Sequence, residues 1–238
     1  MPCAARSALT RYTTPMLRRP TEELLDTDAG TPAEVAASLA DLRGFNRWFG
    51  GIATTRVLVE RVATGTHANE LSLLEVAAGS GYLPARVRHQ LARRNLTLNV
   101  TLLDRALTHM RNGYSAPRVA ADALALPFPD NSFDLVSSSL FAHHLSPNDL
   151  SRFFTEALRV CRHAVLINDL IRHPLHLALV YAGTPLYRSR LTRHDAPASV
   201  RQAYTVKEMS DLLQLAYPAR LEIRRYFLFR MGLIAWKH

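Results

Sequence analysis

The chain of 238 residues has 48% hydrophobic and 21% charged residues, a composition typical of a globular domain whose core needs no disulfide or metal. The formal net charge is +9, but the arginines are scattered over several predicted helices, which argues against a nucleic-acid-binding protein. Cys3 and Cys161 form no metal-binding motif, and no apolar stretch is long enough to span a membrane. These features predict a cytoplasmic protein, either a monomer or a homodimer.

The N-terminal region divides into a tail and a pair of helices. Residues 1–30 are predicted to form a partly disordered tail, because the first part of it has no acids and is rich in Arg, Ser and Thr. A capping box at Thr31 then starts a helix that ends at Gly50, and a second helix follows. We expect 31–66 to form a helical cap on a single domain that spans 31–238.

Strands and helices alternate through the middle of the chain. Short apolar runs predict strands and amphipathic segments predict helices. The predicted strands are 71–76, 97–104, 118–122, 133–141 and 163–169, and the helices between them are 82–95, 106–113 and 146–162. This alternation predicts an α/β fold with a doubly wound parallel sheet. Two more strands follow closely within 220–236, so the last strand must run antiparallel to its neighbour.

A glycine-rich turn follows the first predicted strand, in the sequence LLEVAAGSGYLP at 73–84. Gly79 and Gly81 allow the backbone to turn tightly and to approach a ligand closely. Glu75 precedes the glycines, at a position where dinucleotide-binding enzymes usually have no acid. The turn therefore predicts a nucleotide-type ligand at the end of the strand.

Three further polar signals follow at the ends of later strands. Asp104 ends the second strand, where a carboxylate can accept both hydroxyls of a ribose. Asp122 ends the third strand and can reach an adenine amino group, with Ala123 leaving room for the ring. The fourth strand, within 127–145, ends in a polar tip that carries two histidines. Since ligands bind at the carboxyl ends of strands in open α/β sheets, all four signals predict one site.

These motifs resemble those of the class I S-adenosylmethionine (SAM)-dependent methyltransferases, in particular the type 11 and 25 group related to ubiquinone and menaquinone biosynthesis. The resemblance covers 71–170, and the phrases FNRWFGG, SLFAHHL and LINDL resemble a bacterial subgroup that acts on small molecules. It implies a Rossmann-like seven-stranded sheet with an antiparallel last strand. One departure is Ala77, which stands where the family has the first glycine of its turn.

The resemblance implies SAM as the cofactor and a set of residues that bind it. Its methionine part is expected near the glycine turn and the fourth strand, and its nucleoside part near the ends of the second and third strands. The implied cofactor-binding residues are Glu75, Ala77, Gly79, Gly81, Asp104, Arg105, Asp122, Ala123, Ser138 and Ser139. No metal is expected, because adjacent histidines rarely bind one ion and no nearby carboxylates complete a site.

The acceptor side offers weaker signals. His143 and His144 are candidates for a general base, since the pKa of histidine suits proton removal near neutral pH. Asp169, at the end of the fifth strand, could bind the acceptor or could cap the next helix. Arg193 and His194 lie in a polar loop predicted within the substrate-side insertion 170–204, where they could bind an anionic or phenolic group or form a solvated surface.

We therefore predict methyl transfer from SAM to a small molecule, such as a hydroxylated aromatic, a quinol or a polyketide-type metabolite of secondary metabolism. An RNA methyltransferase is one alternative, favoured by the charge but not by any basic stripe. A non-catalytic SAM-binding protein is another, because Ala77 departs from the glycine pattern. An NAD(P)-dependent oxidoreductase is disfavoured, since the turn offers Pro84 in place of a third glycine.

Overall fold

The computed structural model describes residues 16–27, 29–106, 110, 114–216 and 218–238. The helix predicted at 106–113 lies almost wholly outside these residues, as does Cys3. The helices are α1 Pro32–Trp48, α2 Gly51–Thr66, α3 Tyr82–Ala92, α4 Pro147–Val160, α5 Pro174–Gly183, α6 Arg190–Gln202 and α7 Val206–Gln214. The strands are β1 Glu70–Val76, β2 Thr97–Asp104, β3 Arg118–Ala120, β4 Phe133–Ser139, β5 Cys161–Leu170, β6 Arg220–Tyr226 and β7 Arg230–Trp236.

The strands form one seven-stranded sheet in the order β3-β2-β1-β4-β5-β7-β6. Strands β1 to β5 pair in parallel, and β7 pairs antiparallel with both β5 and β6. The predicted doubly wound sheet with its antiparallel last strand is therefore confirmed. The three-residue turn between β6 and β7 leaves no room for a crossover helix, which forces this antiparallel pairing.

Both faces of the sheet are covered, which explains why its central strands are apolar on both sides. Successive residues Leu73 and Leu74 of β1 belong to separate buried clusters on opposite faces. Helices α2 and α3 cover one face, and α4 and α7 cover the other. No described helix is both long and apolar enough to cross a membrane.

The remaining helices gather at the carboxyl edge of the sheet, where the parallel strands end. Helices α1 and α5 each pack on α6, and α6 contacts a short 3-10 helix, Ala142–His144, that follows β4. The predicted capping box at Thr31 is present, with Glu34 as its partner. Helix α5 emerges directly beyond β5, so the insertion lies on the side of the sheet where the site motifs lie.

The prediction of a polar loop after α5 is wrong, because this stretch forms α6. Ser189 caps the helix, and the helix continues through Pro197. Proline and polar composition argue locally against a helix. Here tertiary contacts outweigh them, since Leu191 and Ala198 are buried and the Asp195 carboxylate accepts hydrogen bonds from two backbone N–H groups of the N-terminal segment 16–27.

Candidate active site

The glycine turn follows β1 directly and bends the chain into α3. Ala77, Gly79 and Gly81 have φ angles of +55°, +51° and +70°, so three residues of the turn adopt the left-handed region. A Cβ on Gly81 would lie 2.6 Å from Cδ1 of Leu102, whereas a Cβ on Gly79 would meet nothing within 4 Å. Gly81 therefore allows the turn to pack on β2, and Gly79 faces open space at the carboxyl edge.

Ala77 is the strained member of this turn, because an L-residue with a Cβ loses about 1–2 kcal/mol in the left-handed region. We expect Ala77→Gly to raise the free energy of unfolding by about 1 kcal/mol, measured by urea denaturation. Gly79→Ala is the matched control in the same turn and should lower it by about 1 kcal/mol, since its Cβ meets no atom and only the φ angle is at stake. Equal effects of the two substitutions would contradict this reading.

Asp104 connects β2 to the turn. Its Oδ2 accepts a hydrogen bond from the backbone N–H of Gly79 at 2.8 Å, and its Oδ1 accepts one from Ala106 at 2.9 Å. Each carboxylate oxygen keeps a second lone pair for another donor. The side chain is thus fixed at the carboxyl edge in an orientation that can still accept hydrogen bonds from a diol.

The residues predicted to contact adenine lie at the same edge. Asp122 follows β3 and is exposed, and its Oδ1 accepts a hydrogen bond from the N–H of Leu124 at 2.9 Å. Ala123 is half-buried beside it, and Arg105 is exposed just beyond β2. The structure therefore brings the ends of β2 and β3 together as the motif order predicted.

Glu75 and Ser138 present buried oxygens that no described residue satisfies. Glu75 is 2% exposed, and neither its Oε2 nor the Oγ of Ser138 has a hydrogen-bond partner. Burial raises the pKa of Glu75 to about 7, although the hydroxyls of Ser137 and Ser139 partly offset this by stabilising the charged form. Since orphaned buried polar atoms are rare, these two point to a polar ligand at the ends of β1 and β4.

The N-terminus of α2 completes this part of the site, although no sequence motif predicted its role. The Thr55 hydroxyl lies 3.5 Å from that of Ser139, and the side-chain amide of Asn168 donates to Thr55 Oγ1 and to the Gly51 carbonyl, each at 2.8 Å. Leu140, directly after β4, has a φ of +55°. Such strain is typical of functional sites.

Both predicted bases lie close to carboxylates. Nδ1 of His143 is 2.6 Å from Asp169 Oδ1, and the backbone N–H of His143 donates to Asp169 Oδ2 at 3.0 Å. Although burial opposes the charged form of His143, the carboxylates of Asp169 and Glu23 outweigh it and raise its pKa to about 10. A buried histidine that keeps its proton at neutral pH is not a general base, so this geometry does not support that role for His143.

The contacts of Asp169 indicate a structural role for this residue as well. Its side chain is 1% exposed and both oxygens are engaged, with His143 and with the N–H of Leu170. Because both oxygens already have partners, the structure does not support the substrate role predicted for Asp169. Arg193 and His194 are exposed on α6, and His194 Nδ1 lies 2.8 Å from Asp195 Oδ1. They remain at the surface of the helical layer and not among the residues that the strand ends bring together.

This fold, with its polar residues at the carboxyl ends of the strands, is similar to that of the class I, SAM-dependent methyltransferases. Residues 74–167 match the family described as "Methyltransferase domain". No curated protein matches the sequence.

Solved structures with the same fold include three methyltransferases. The plantazolicin methyltransferase BamL, in complex with a triazolic desmethylPZN analog and SAH, is 13% identical, with 90% of this chain and 94% of that chain covered and a TM-score of 0.65. A putative methyltransferase from an antibiotic biosynthesis pathway of Anabaena variabilis is 19% identical, with 71% of this chain and 64% of that chain covered and a TM-score of 0.51. A SAM-dependent methyltransferase from Methanosarcina mazei is 20% identical, with 71% of this chain and 93% of that chain covered and a TM-score of 0.51. At these identities the likeness shows the fold.

Proposed function

We propose that this protein transfers the methyl group of SAM to a small apolar acceptor, such as a hydroxylated aromatic, a quinol or a polyketide-type metabolite. SAM supplies a methyl group on a sulfonium, which is already an activated electrophile. The protein then has mainly to align the acceptor with it.

The residues of the carboxyl edge fit this cofactor. Glu75 and Ser138 offer unsatisfied oxygens to its positively charged methionine part, and the open space over Gly79 gives it room. Asp104 would bind the ribose hydroxyls, and Asp122 with its neighbours would bind the adenine. The implied set at this edge is Glu75, Ala77, Gly79, Gly81, Asp104, Arg105, Asp122, Ala123, Ser138 and Ser139.

The observation that carries the acceptor class is the apolar surface of α5. None of its ten residues is buried, yet most are apolar, and Leu175, Leu179 and Tyr181 are 55%, 47% and 48% exposed. Leu186, in the 3-10 helix that follows, is 83% exposed. An apolar helix of this kind beside a binding edge is typical of a site for an apolar ligand. BamL, crystallised with an azole compound, lends this acceptor class further support.

The pairing of the arginines favours a small molecule over RNA. An RNA-binding face needs free basic side chains along one surface, whereas many arginines here are paired with carboxylates. These ion pairs include Arg56 and Arg94 with Glu60, Arg61 with Glu222, Arg159 with Asp130 and Glu156, Arg162 with Asp134, and Arg190 with Glu34.

The test is an acceptor screen with phenols, quinols, polyketide-type aromatics and RNA, followed by kinetics on the best acceptor. We expect Leu179→Asn and Leu175→Asn each to raise KM for the acceptor about 10-fold, the cost of losing part of an apolar contact, with the Kd for SAM unchanged. Leu215→Asn, at an exposed leucine after α7, is the matched control and should change neither constant. Methylation of RNA alone, or an unchanged KM in both α5 variants, would contradict the proposal.

A further inference from the structure

A second group of side chains lies beside the carboxyl edge. Nε2 of His143 lies 3.6 Å from Oε1 of Glu23, and Nε2 of His144 lies 3.9 Å from Oε2 of the same carboxylate. Both distances exceed a hydrogen bond. All three residues nevertheless place donor atoms within 4.8 Å of one another. Three ligands that each lie about 2.1 Å from one ion in a tetrahedral site are about 3.4 Å apart, so movements of up to about 1 Å would bring this group around an ion.

The surroundings of the two histidines give a second, independent indication. Nδ1 of His143 is 2.6 Å from Asp169, and Nδ1 of His144 is 2.7 Å from Asp26. A histidine that binds a metal through one ring nitrogen almost always donates the other N–H to a carboxylate or carbonyl. Both rings show this arrangement, and in both the Nε2 atom is the one directed at Glu23.

Glu23 is itself held as a ligating carboxylate usually is. Its Oε1 accepts hydrogen bonds from Ser199 at 2.6 Å and from Gln202 at 2.7 Å, and the residue is 7% exposed. The group thus brings three carboxylates, Glu23, Asp26 and Asp169, around two histidines. Glu23 and Asp169 are buried and Asp26 lies at the surface beside them, and this concentration of negative charge favours a bound cation.

We propose that Glu23, His143 and His144 bind a divalent transition-metal ion such as Zn²⁺ or Fe²⁺, for which two imidazoles and one carboxylate are a suitable ligand set. The ion displaces the proton from Nε2 of His143 into solvent, while Nδ1 keeps its proton and its contact with Asp169. The ion joins the N-terminal segment 16–27 to the 3-10 helix that follows β4. With the ion bound, His144 cannot act as the predicted base, because its metal-bound Nε2 has no lone pair left to accept a proton. From the sequence no metal was expected, because the two histidines are adjacent and no carboxylate set lies near them along the chain; Glu23 and Asp26 approach them only in the folded protein.

The experiment titrates tag-free, chelator-treated full-length protein with Co²⁺, follows the visible absorbance of the bound ion, and then displaces it with Zn²⁺. We expect one equivalent to bind. Glu23→Gln and His144→Gln, which preserve the size of each side chain, should each weaken binding more than about 100-fold, and Asp26→Asn should weaken it about 10- to 100-fold. His89→Gln, at an exposed histidine of α3, is the control and should bind as the unaltered protein does.

Circular dichroism would verify that each variant is folded, and each outcome decides the assignment. A stoichiometric absorbance that depends on Glu23 and His144 supports it. Absence of the absorbance in the folded, unaltered protein, or an absorbance that persists with the same affinity in both ligand variants, overturns it.

Discussion

Glu75→Gln is expected to stabilise the protein at pH 8 and at the same time to weaken its binding of SAM. The Glu75 carboxyl is fully buried, and burial raises its pKa from 4.5 to about 7. At pH 8 the folded protein must therefore hold a buried charge that the unfolded chain carries in water. A shift of this size corresponds to about 3 kcal/mol, and glutamine removes most of that cost.

The sign of the pH dependence follows from the same shift. The folded state binds the proton of Glu75 more tightly than the unfolded state does, so its contribution to stability is greatest below about pH 4.5 and falls as the pH rises to about 7. The stability difference between Glu75→Gln and the unaltered protein should therefore be small near pH 5 and reach a plateau above pH 7.

Urea denaturation from pH 5 to pH 8.5 measures this difference, and calorimetry measures the affinity for SAM. We expect the variant to lose about 10- to 100-fold in affinity, because a charged hydrogen-bond acceptor has been replaced by a neutral one. Glu70→Gln, at the exposed start of the same strand, is the control and should change stability by less than about 0.5 kcal/mol at any pH. A pH-independent difference for Glu75→Gln would refute the buried-charge explanation.

Arg230→Met should destabilise the protein by about 3 kcal/mol. Arg230 is 2% exposed at the start of β7 and donates to the Phe49 carbonyl, Asn168 Oδ1 and Asn46 Oδ1 at 2.8, 3.0 and 3.3 Å. Burial lowers its pKa to about 10, with Asp169 opposing the shift. Removing the guanidinium relieves a buried charge but leaves three acceptors without this donor, and the loss of their hydrogen bonds outweighs the relief.

Thermal and urea denaturation at pH 7.5 measure this loss. Arg230→Lys should lie between the variant and the unaltered protein, because one ammonium cannot reach all three acceptors in the guanidinium geometry. Arg225→Met, on the exposed face of the neighbouring strand β6, is the matched control and should cost less than about 0.5 kcal/mol. A loss for Arg230→Met no larger than that of the control would mean that these hydrogen bonds contribute little.

The residues that lie at the carboxyl edge could be predicted from the sequence because they follow strands directly. Once the apolar runs fix where β1 and β2 end, Gly79 and Asp104 must come together, since parallel strands share one carboxyl edge. The strain at Ala77 was only partly visible. Its place in a glycine pattern marked it as a departure, but the left-handed φ angle is a property of the folded turn.

The contacts around His143 and Arg230 could not be predicted in the same way, because they join segments far apart along the chain. Glu23 reaches His143 from the N-terminal segment, and Arg230 reaches Asn46 across the molecule. No local spacing encodes such pairs. The helix around Pro197 was not predicted for a related reason. Its burial against other helices outweighs a local sequence that disfavours a helix.

Calorimetric titration of the protein with SAM and S-adenosylhomocysteine measures whether the carboxyl edge binds this cofactor. We expect micromolar binding of both, with binding reduced at least about 100-fold in Asp104→Ala, whose carboxylate would accept the ribose hydroxyls. Asp211→Ala, at an exposed aspartate of α7, should bind both as the unaltered protein does. Failure of the folded, unaltered protein to bind either compound, or equal binding by Asp104→Ala, would mean that the carboxyl edge is not a SAM site.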